Sequence, residues 1–388
     1  MGSRRTDTHE PCFVAWYLVA LVLVLCSHAA CSDRSITRDP ASKILTLDSS
    51  NAIVISSTDT TVLHGVSDAT VLSDGSVVVA NSGNTEILVF DSTGDLLNSF
   101  GRRGAGPGEF AWLSRVFKHS DDSIVVWDDR QRRLSFFDRD GNLGRTVDIG
   151  SLADFPSVIG LLGDEFVYRT LVRYVVPRDS VRVTISGSRQ PLLTIPNKSN
   201  HSVSFDRDGS AVSAPHPLVF TPSALVAVGT GIIATLAADI PEIHLRDAKG
   251  ALVQTIVLNL PTRDVTQFDR EQYIDRRREA LLSMRRSTAS RQRELSILEQ
   301  TEFEEHYPYF DRLLVADSDD IWVRSYIAHE DTLTAWHVFQ SNGEAIGRLT
   351  VPSAWTVLHA GSDFLILRTR DELDVEYVTR VVYFSSAG

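Results

Sequence analysis

A 47-residue internal repeat, a ladder of turn glycines and two spare strands near the N-terminus predict an all-β fold. Together they specify a six-bladed β-propeller closed by an N-terminal strand, with a helical-hairpin insertion between blades four and five. Residues 73–100, SDGSVVVANSGNTEILVFDSTGDLLNSF, align without a gap on residues 120–147, SDDSIVVWDDRQRRLSFFDRDGNLGRTV. Ser73, Asp74 and Ser76 fall on Ser120, Asp121 and Ser123, and Gly94 falls on Gly141. A repeat of about 40–50 residues made of short strands has the period of a four-stranded propeller blade.

Blades are counted by the polar turns, of the type Asp-x-x-Gly, that join the last two strands of each. Glycine supplies the positive φ such turns need. They end at Gly94, Gly141, Gly187, Gly250 and Gly343, with successive spacings of 47, 46, 63 and 93. The 63-residue interval contains residues 196–217, whose Ser, Asn, Asp, Gly and Pro content reads as a loop. The 93-residue interval contains an insertion, residues 262–307. Its segments 269–287 and 291–306 lack Gly and Pro and repeat apolar residues at helical spacing, so a helical hairpin turning near Ser287–Ser290 is expected. After Gly343 there is room for three strands, near Val357–Leu358, Phe364–Arg368 and Val375–Phe384. The sixth blade therefore lacks an outer strand, and Ile44–Leu47 or Ala52–Ile55 is expected to supply it. Such closure removes exposed sheet edges. The apolar runs Val77–Val79, Ile124–Val126 and Ile232–Ile233 suit strands packed on both faces between neighbouring blades.

Composition limits the function. Charged residues are 23% of the chain, apolar residues 43%, and the net charge is −12. A sizeable core is expected, and a nucleic-acid partner is not, because phosphate tracking needs a basic surface. The three cysteines, Cys12, Cys26 and Cys31, all precede residue 32, which excludes a disulfide framework or a catalytic cysteine from the globular part.

The N-terminus reads as an export signal over residues 1–30, followed by a linker at 31–43 and the propeller at 44–388. Arg4 and Arg5 precede an apolar run from Phe13 to Leu25, too short to span a bilayer comfortably. Ala29-Ala30-Cys31 resembles a bacterial lipobox, although His28 departs from the pattern. The resemblance implies lipidation at Cys31 and a membrane anchor in the periplasm, the outer membrane or the cell surface. Cleavage after Ala29, releasing a soluble protein, is the alternative.

Residues 101–110, GRRGAGPGEF, resemble the NHL-type repeat signature that links one blade to the next. The continuation is similar to that of uncharacterised, exported bacterial six-bladed propeller proteins and lipoproteins. The resemblance implies the fold and transfers no activity. Glu109 is placed to accept hydrogen bonds from the amides of this glycine loop.

The glycine loop, the polar stretch at 196–222 and the insertion at 262–307 all connect an outer strand to the next inner strand. All three should therefore crowd one face, and loops are where propeller-like scaffolds build binding sites. Arg102, Arg103, Glu109, Trp112 and Arg115 around the glycine loop, Arg277 on the insertion, and Tyr307 and Tyr309 after it are the candidate ligand-binding residues. A protein, peptide or glycan partner is the leading expectation and a catalytic role the lesser one. No cofactor is required by this reading. The alternative is a calcium-dependent hydrolase or lactonase at the channel mouth, as several six-bladed propellers resemble one another in using a channel calcium. Oxygen ligands suit that cation, and Asp68, Asn81, Asp128, Asp239 and Asp317 are candidates without a recognisable motif. The scattered histidines show no zinc-ligand spacing, and no G-x-S-x-G elbow is present.

Overall fold

The computed structural model describes residues 35–38, 43–59, 61–152, 155–173, 178–207, 210–285 and 287–386. The export signal and Cys31 lie outside them. Two strands precede the repeats, β1 (Ser35–Arg38) and β2 (Ile44–Ile55). Blade one is β3 (Val66–Val71), β4 (Val77–Asn81), β5 (Glu86–Phe90) and β6 (Leu96–Phe100). Blade two is β7 (Leu113–Lys118), β8 (Ile124–Asp128), β9 (Arg133–Phe137) and β10 (Leu143–Asp148). Blade three is β11 (Ser157–Leu162), β12 (Glu165–Val172), β13 (Arg178–Ile185) and β14 (Leu193–Arg207), with β15 (Ser210–Pro217) added. Blade four is β16 (Ala224–Val228), β17 (Ile232–Ala237), β18 (Glu242–Asp247) and β19 (Leu252–Leu258). Helices α1 (Gln267–Ser283) and α2 (Thr288–Glu299) follow. Blade five is β20 (Phe310–Val315), β21 (Ile321–Ser325), β22 (Leu333–Phe339) and β23 (Ala345–Pro352). Blade six is β24 (Thr356–Ala360), β25 (Phe364–Arg370) and β26 (Glu376–Ser386), completed by β2.

The closing strand uses both expected segments as one strand. Ile44–Asp48 pair antiparallel with Val382–Ser386, and Ile53–Ile55 with Val378–Arg380, across an irregularity between Asp48 and Ile53. Ile44 and Leu45 also pair parallel with Arg348 and Leu349 of blade five. The N-terminal strand thus ties the last two blades together.

The core is divided into slabs, one between each pair of neighbouring blades. Val78, Ala80 and Ile87 of blade one meet Leu113, Ile124 and Val126 of blade two. Val125 and Trp127 point the other way, onto Val158 and Phe166 of blade three. Similar slabs join blades three and four, four and five, and five and six. The ring closes where Ile366 and Val378 of blade six pack on Val66 and Val79 of blade one. Alternate residues of a strand serve two different slabs, which is why the second strands read as continuous apolar runs.

The five turn glycines all adopt positive φ, from 81° at Gly141 to 96° at Gly94. Gly141 is also a close approach, because a Cβ there would lie 2.6 Å from the Phe100 ring.

Two expectations are corrected. The stretch expected to be a loop at 196–217 is largely strand: β14 continues to Arg207 and pairs with β15 from Asn200↔Pro217 to Arg207↔Ser210. His201 and Val203 are buried while Ser202 and Ser204 are exposed, a period-two pattern that the polar composition masks. The 31–43 segment is not purely a linker, since β1 runs parallel to β19 from Ser35↔Thr255 to Arg38↔Leu258 and adds a fifth strand to blade four.

Candidate functional site

The outer-to-inner connections and the turns between second and third strands emerge on one face. The glycine loop is its most ordered part. Glu109 Oε2 accepts the Gly106 N–H at 2.8 Å, and its Oε1 accepts from Arg102 Nε at 2.8 Å. A Cβ on residue 104 would sit 2.0 Å from Glu109 Oε2, so only glycine leaves room for the carboxylate. Blade two holds the loop from below. Gln131 Nε2 donates to the Gly104 and Glu109 carbonyls at 3.0 and 3.1 Å, and Arg133 donates to the Gly106 and Glu109 carbonyls at 2.9 Å. The Gly106 amide and the Arg102 guanidinium hold Glu109 below the usual carboxylate range. Glu109 is therefore engaged in bracing the loop, while Arg102 and Arg103 remain exposed.

The two insertions form one assembly on the same face. The Gln300 side chain, just after α2, accepts the Ser204 N–H at 2.9 Å and donates to the Ser204 carbonyl at 2.7 Å, docking the helices on β14. Thr266 and Asp269 form a capping box that starts α1, and the Ser287 hydroxyl caps α2. Phe220, Tyr273, Phe303, Tyr307 and Tyr326 stack beneath, with Phe220–Tyr307 centroids 4.7 Å apart. Burial raises the Tyr307 phenol, with its hydrogen bond to Asp269 adding to the effect. Tyr307 thus packs the helices onto the propeller. Tyr309 is half-buried against the slab between blades four and five. Arg277 is exposed on α1.

Trp112 stands 63% exposed beside the glycine loop. Phe155, in the connection between blades two and three, is 79% exposed, and Leu373, in a turn of blade six, 85%. Val62, Leu152 and Ile240 are further exposed apolar residues on connections of this face. Among the described residues, no connection on the opposite face exposes a large apolar side chain. Sequence reasoning found Trp112 and missed the others, because an isolated Phe or Leu in a polar loop carries no period that marks it as exposed.

The proposed calcium ligands do not converge. Asp128 is buried and accepts from the amides of Ala111, Trp112, Arg130 and Gln131 at 2.6–3.1 Å. Asn81 is tied to His64, Val62 and Glu86. Asp239 pairs with Arg178 at 2.7 Å and Asp317 with His359 at 3.0 Å, the latter on the opposite face. Asp68 accepts the Val116 amide at 3.2 Å; burial raises its carboxyl, an effect that Arg115, the Val116 amide and Arg312 oppose without cancelling. No group of three or more His, Cys, Asp or Glu among the described residues is arranged to hold a metal ion. These residues do not fit a calcium centre.

Comparison with known proteins adds to this geometry. Residues 46–171, which span the closing strand, the first two blades and half of the third, match the model of the DUF5128 family, a 6-bladed beta-propeller. The chain is a six-bladed β-propeller. A Bacteroides fragilis protein whose name places it among exported proteins superposes with a TM-score of 0.51 at 12% identity, over 91% of this chain and 99% of that one. A DUF4221-family member from Bacteroides vulgatus reaches 0.48 at 11% identity, covering 89% and 99% of the two chains. Virginiamycin B lyase from Staphylococcus aureus reaches 0.43 at 9%, covering 87% and 99%. At such identities the likeness concerns the fold alone. No curated protein matches the chain.

Proposed function

We propose that this propeller is exported, lipid-anchored through Cys31, and binds a protein, peptide or glycan partner through its loop-rich face. One observation carries the reading: among the described residues, the exposed large apolar side chains borne on connections all lie on that face. Scattered single residues of this kind are ordinary, but confinement to one face of a ring-shaped scaffold is what a binding surface requires. Trp112 and Phe155 offer flat rings suited to a sugar face or an apolar peptide side chain. The glycine loop, braced by Glu109, Gln131 and Arg133, and the docked helical hairpin provide a rigid frame, which limits the ordering cost of binding.

The test is binding of the purified protein to peptide and glycan arrays, comparing wild type with a Trp112→Ser, Phe155→Ser, Leu373→Ser variant. All three side chains are exposed, so the fold should be unchanged by circular dichroism. Wild-type array signals are expected to vanish in the variant; signals retained at equal strength would overturn the assignment of this face. For the anchor, Cys31→Ser is expected to move the protein from the membrane fraction to the soluble one. Equal membrane retention would rule out lipidation there.

A further inference from the structure

The inner strands β3, β7 and β20 each carry a bulge, after Val66, Leu113 and Phe310. The bulges set Asp68, Arg115 and Arg312 at the same register of blades one, two and five. Arg312 feels the charges of both Asp68 and Arg115. Blades two and five stand opposite one another in a ring of six, and blades one and five are not neighbours. Their inner-strand side chains reach each other only across the central channel. Arg169 of β12 lies within electrostatic reach of Arg115, and Arg324 of β21 is the strand partner of Arg312.

The charges there do not balance. Arg115, Arg169, Arg312 and Arg324, with Arg173 at the rim, face Asp68, Asp129 and Asp311. This excess of guanidinium sits inside a chain of net charge −12. Arg324 is paired with Asp311 at 2.7 Å, and Arg115 donates to the Ile159 carbonyl at 3.4 Å. Arg169 and Arg312 are half-buried, and neither guanidinium forms a hydrogen bond or ion pair with the described residues. Burial, with Arg324 and Arg115 nearby, brings Arg312 down to about 10. Guanidiniums held half-buried with no acceptor from the protein are available to donate to a bound anion.

We propose that the channel at the level of Arg115, Arg169 and Arg312 binds an anionic group, a carboxylate or a phosphate. The planar fork of arginine matches both, and charge-assisted hydrogen bonds to either are strong. The site is separate from the apolar loop surface, so either can fail without the other.

Calorimetric titration of the purified protein with inorganic phosphate and with citrate, at constant ionic strength in chloride, tests this. At least one anion is expected to bind. Arg312→Gln and Arg169→Gln should each weaken it about tenfold or more, the loss of a charged hydrogen-bonding partner. Arg189→Gln, in an exposed turn on the opposite face, should change nothing. Should Arg312→Gln fail to fold, Arg115→Gln, whose side chain is more exposed, provides the same readout. Response to phosphate alone or to citrate alone tells which group the site takes. Binding of neither anion, or equal binding by wild type and the arginine variants, would overturn the proposal.

Discussion

Glu376 of blade six accepts the backbone N–H of Val66 in blade one at 2.8 Å, across 310 positions of sequence. Glu376 is buried, and its other oxygen pairs with Arg370 at 2.7 Å, while Arg368 donates to the Val66 carbonyl. The contact joins the last blade to the first on the inner side, where β2 joins the last two on the outer side.

The first prediction concerns this seam. Burial alone would raise the Glu376 carboxyl; the Val66 amide and the Arg370 and Arg368 guanidiniums together outweigh it and hold it low. Glu376→Ala would leave a buried amide without its acceptor and is expected to cost about 2–3 kcal/mol. Denaturant unfolding measures it, and a loss below about 0.5 kcal/mol would show that the seam is held by apolar packing alone.

The second is a turn. Gly141 combines a φ of 81° with a close approach to the Phe100 ring. Gly141→Ala must strain the backbone and displace that ring, so a destabilisation of about 1–3 kcal/mol is expected. The same change at Gly163, with a φ of 60° and open space around it, should carry only the backbone part. Equal melting temperatures for the two variants would contradict the role given to Phe100.

The third is a pH dependence. His337 is 3% exposed, bonded to the Ser325 hydroxyl at 3.0 Å, and burial with Arg348 nearby lowers it from 6.5 to about 4. Because the folded value lies below the unfolded one, the unfolded chain binds the proton first. The stability contributed by the neutral imidazole is complete above pH 6.5 and is lost as pH falls toward 4, about 3 kcal/mol in all. His337→Gln should flatten the stability profile in that window, and an unchanged slope in the variant would exclude His337 as its source.

The fourth separates bracing from metal binding at Asp128. Removal of its carboxylate frees the amides of Ala111, Trp112, Arg130 and Gln131, so Asp128→Ala is expected to lower stability by about 2–4 kcal/mol. That loss should be the same in calcium and in EDTA. A loss seen only in calcium would mean that the residue is a ligand after all.

Much of the architecture was legible because it rests on short-range rules. The glycines at 94, 141, 187, 250 and 343 are required by local backbone geometry, and apolar runs such as Val77–Val79 reflect the packing of a strand between two blades. The helical hairpin announced itself by periodicity, with α1 and α2 breaking near the expected serines. The extension of β14 into residues 196–207 was hidden by composition. A strand with one face toward solvent tolerates Ser, Asn and Asp on that face, and its pairing with β15 is made by backbone groups that leave little trace in side-chain type.

What the amino-acid sequence determined by itself is the blade, repeated and counted, and the need for a closing strand. Those follow from turn stereochemistry and from strand patterning, which act over a few residues. What only the tertiary structure decided is what the ring brings together. Arg115, Arg169 and Arg312 lie on three different blades, and only the closing of six blades around one axis makes them neighbours. Trp112, Phe155 and Leu373 share a face for the same reason. No local rule links residues so far apart in the chain.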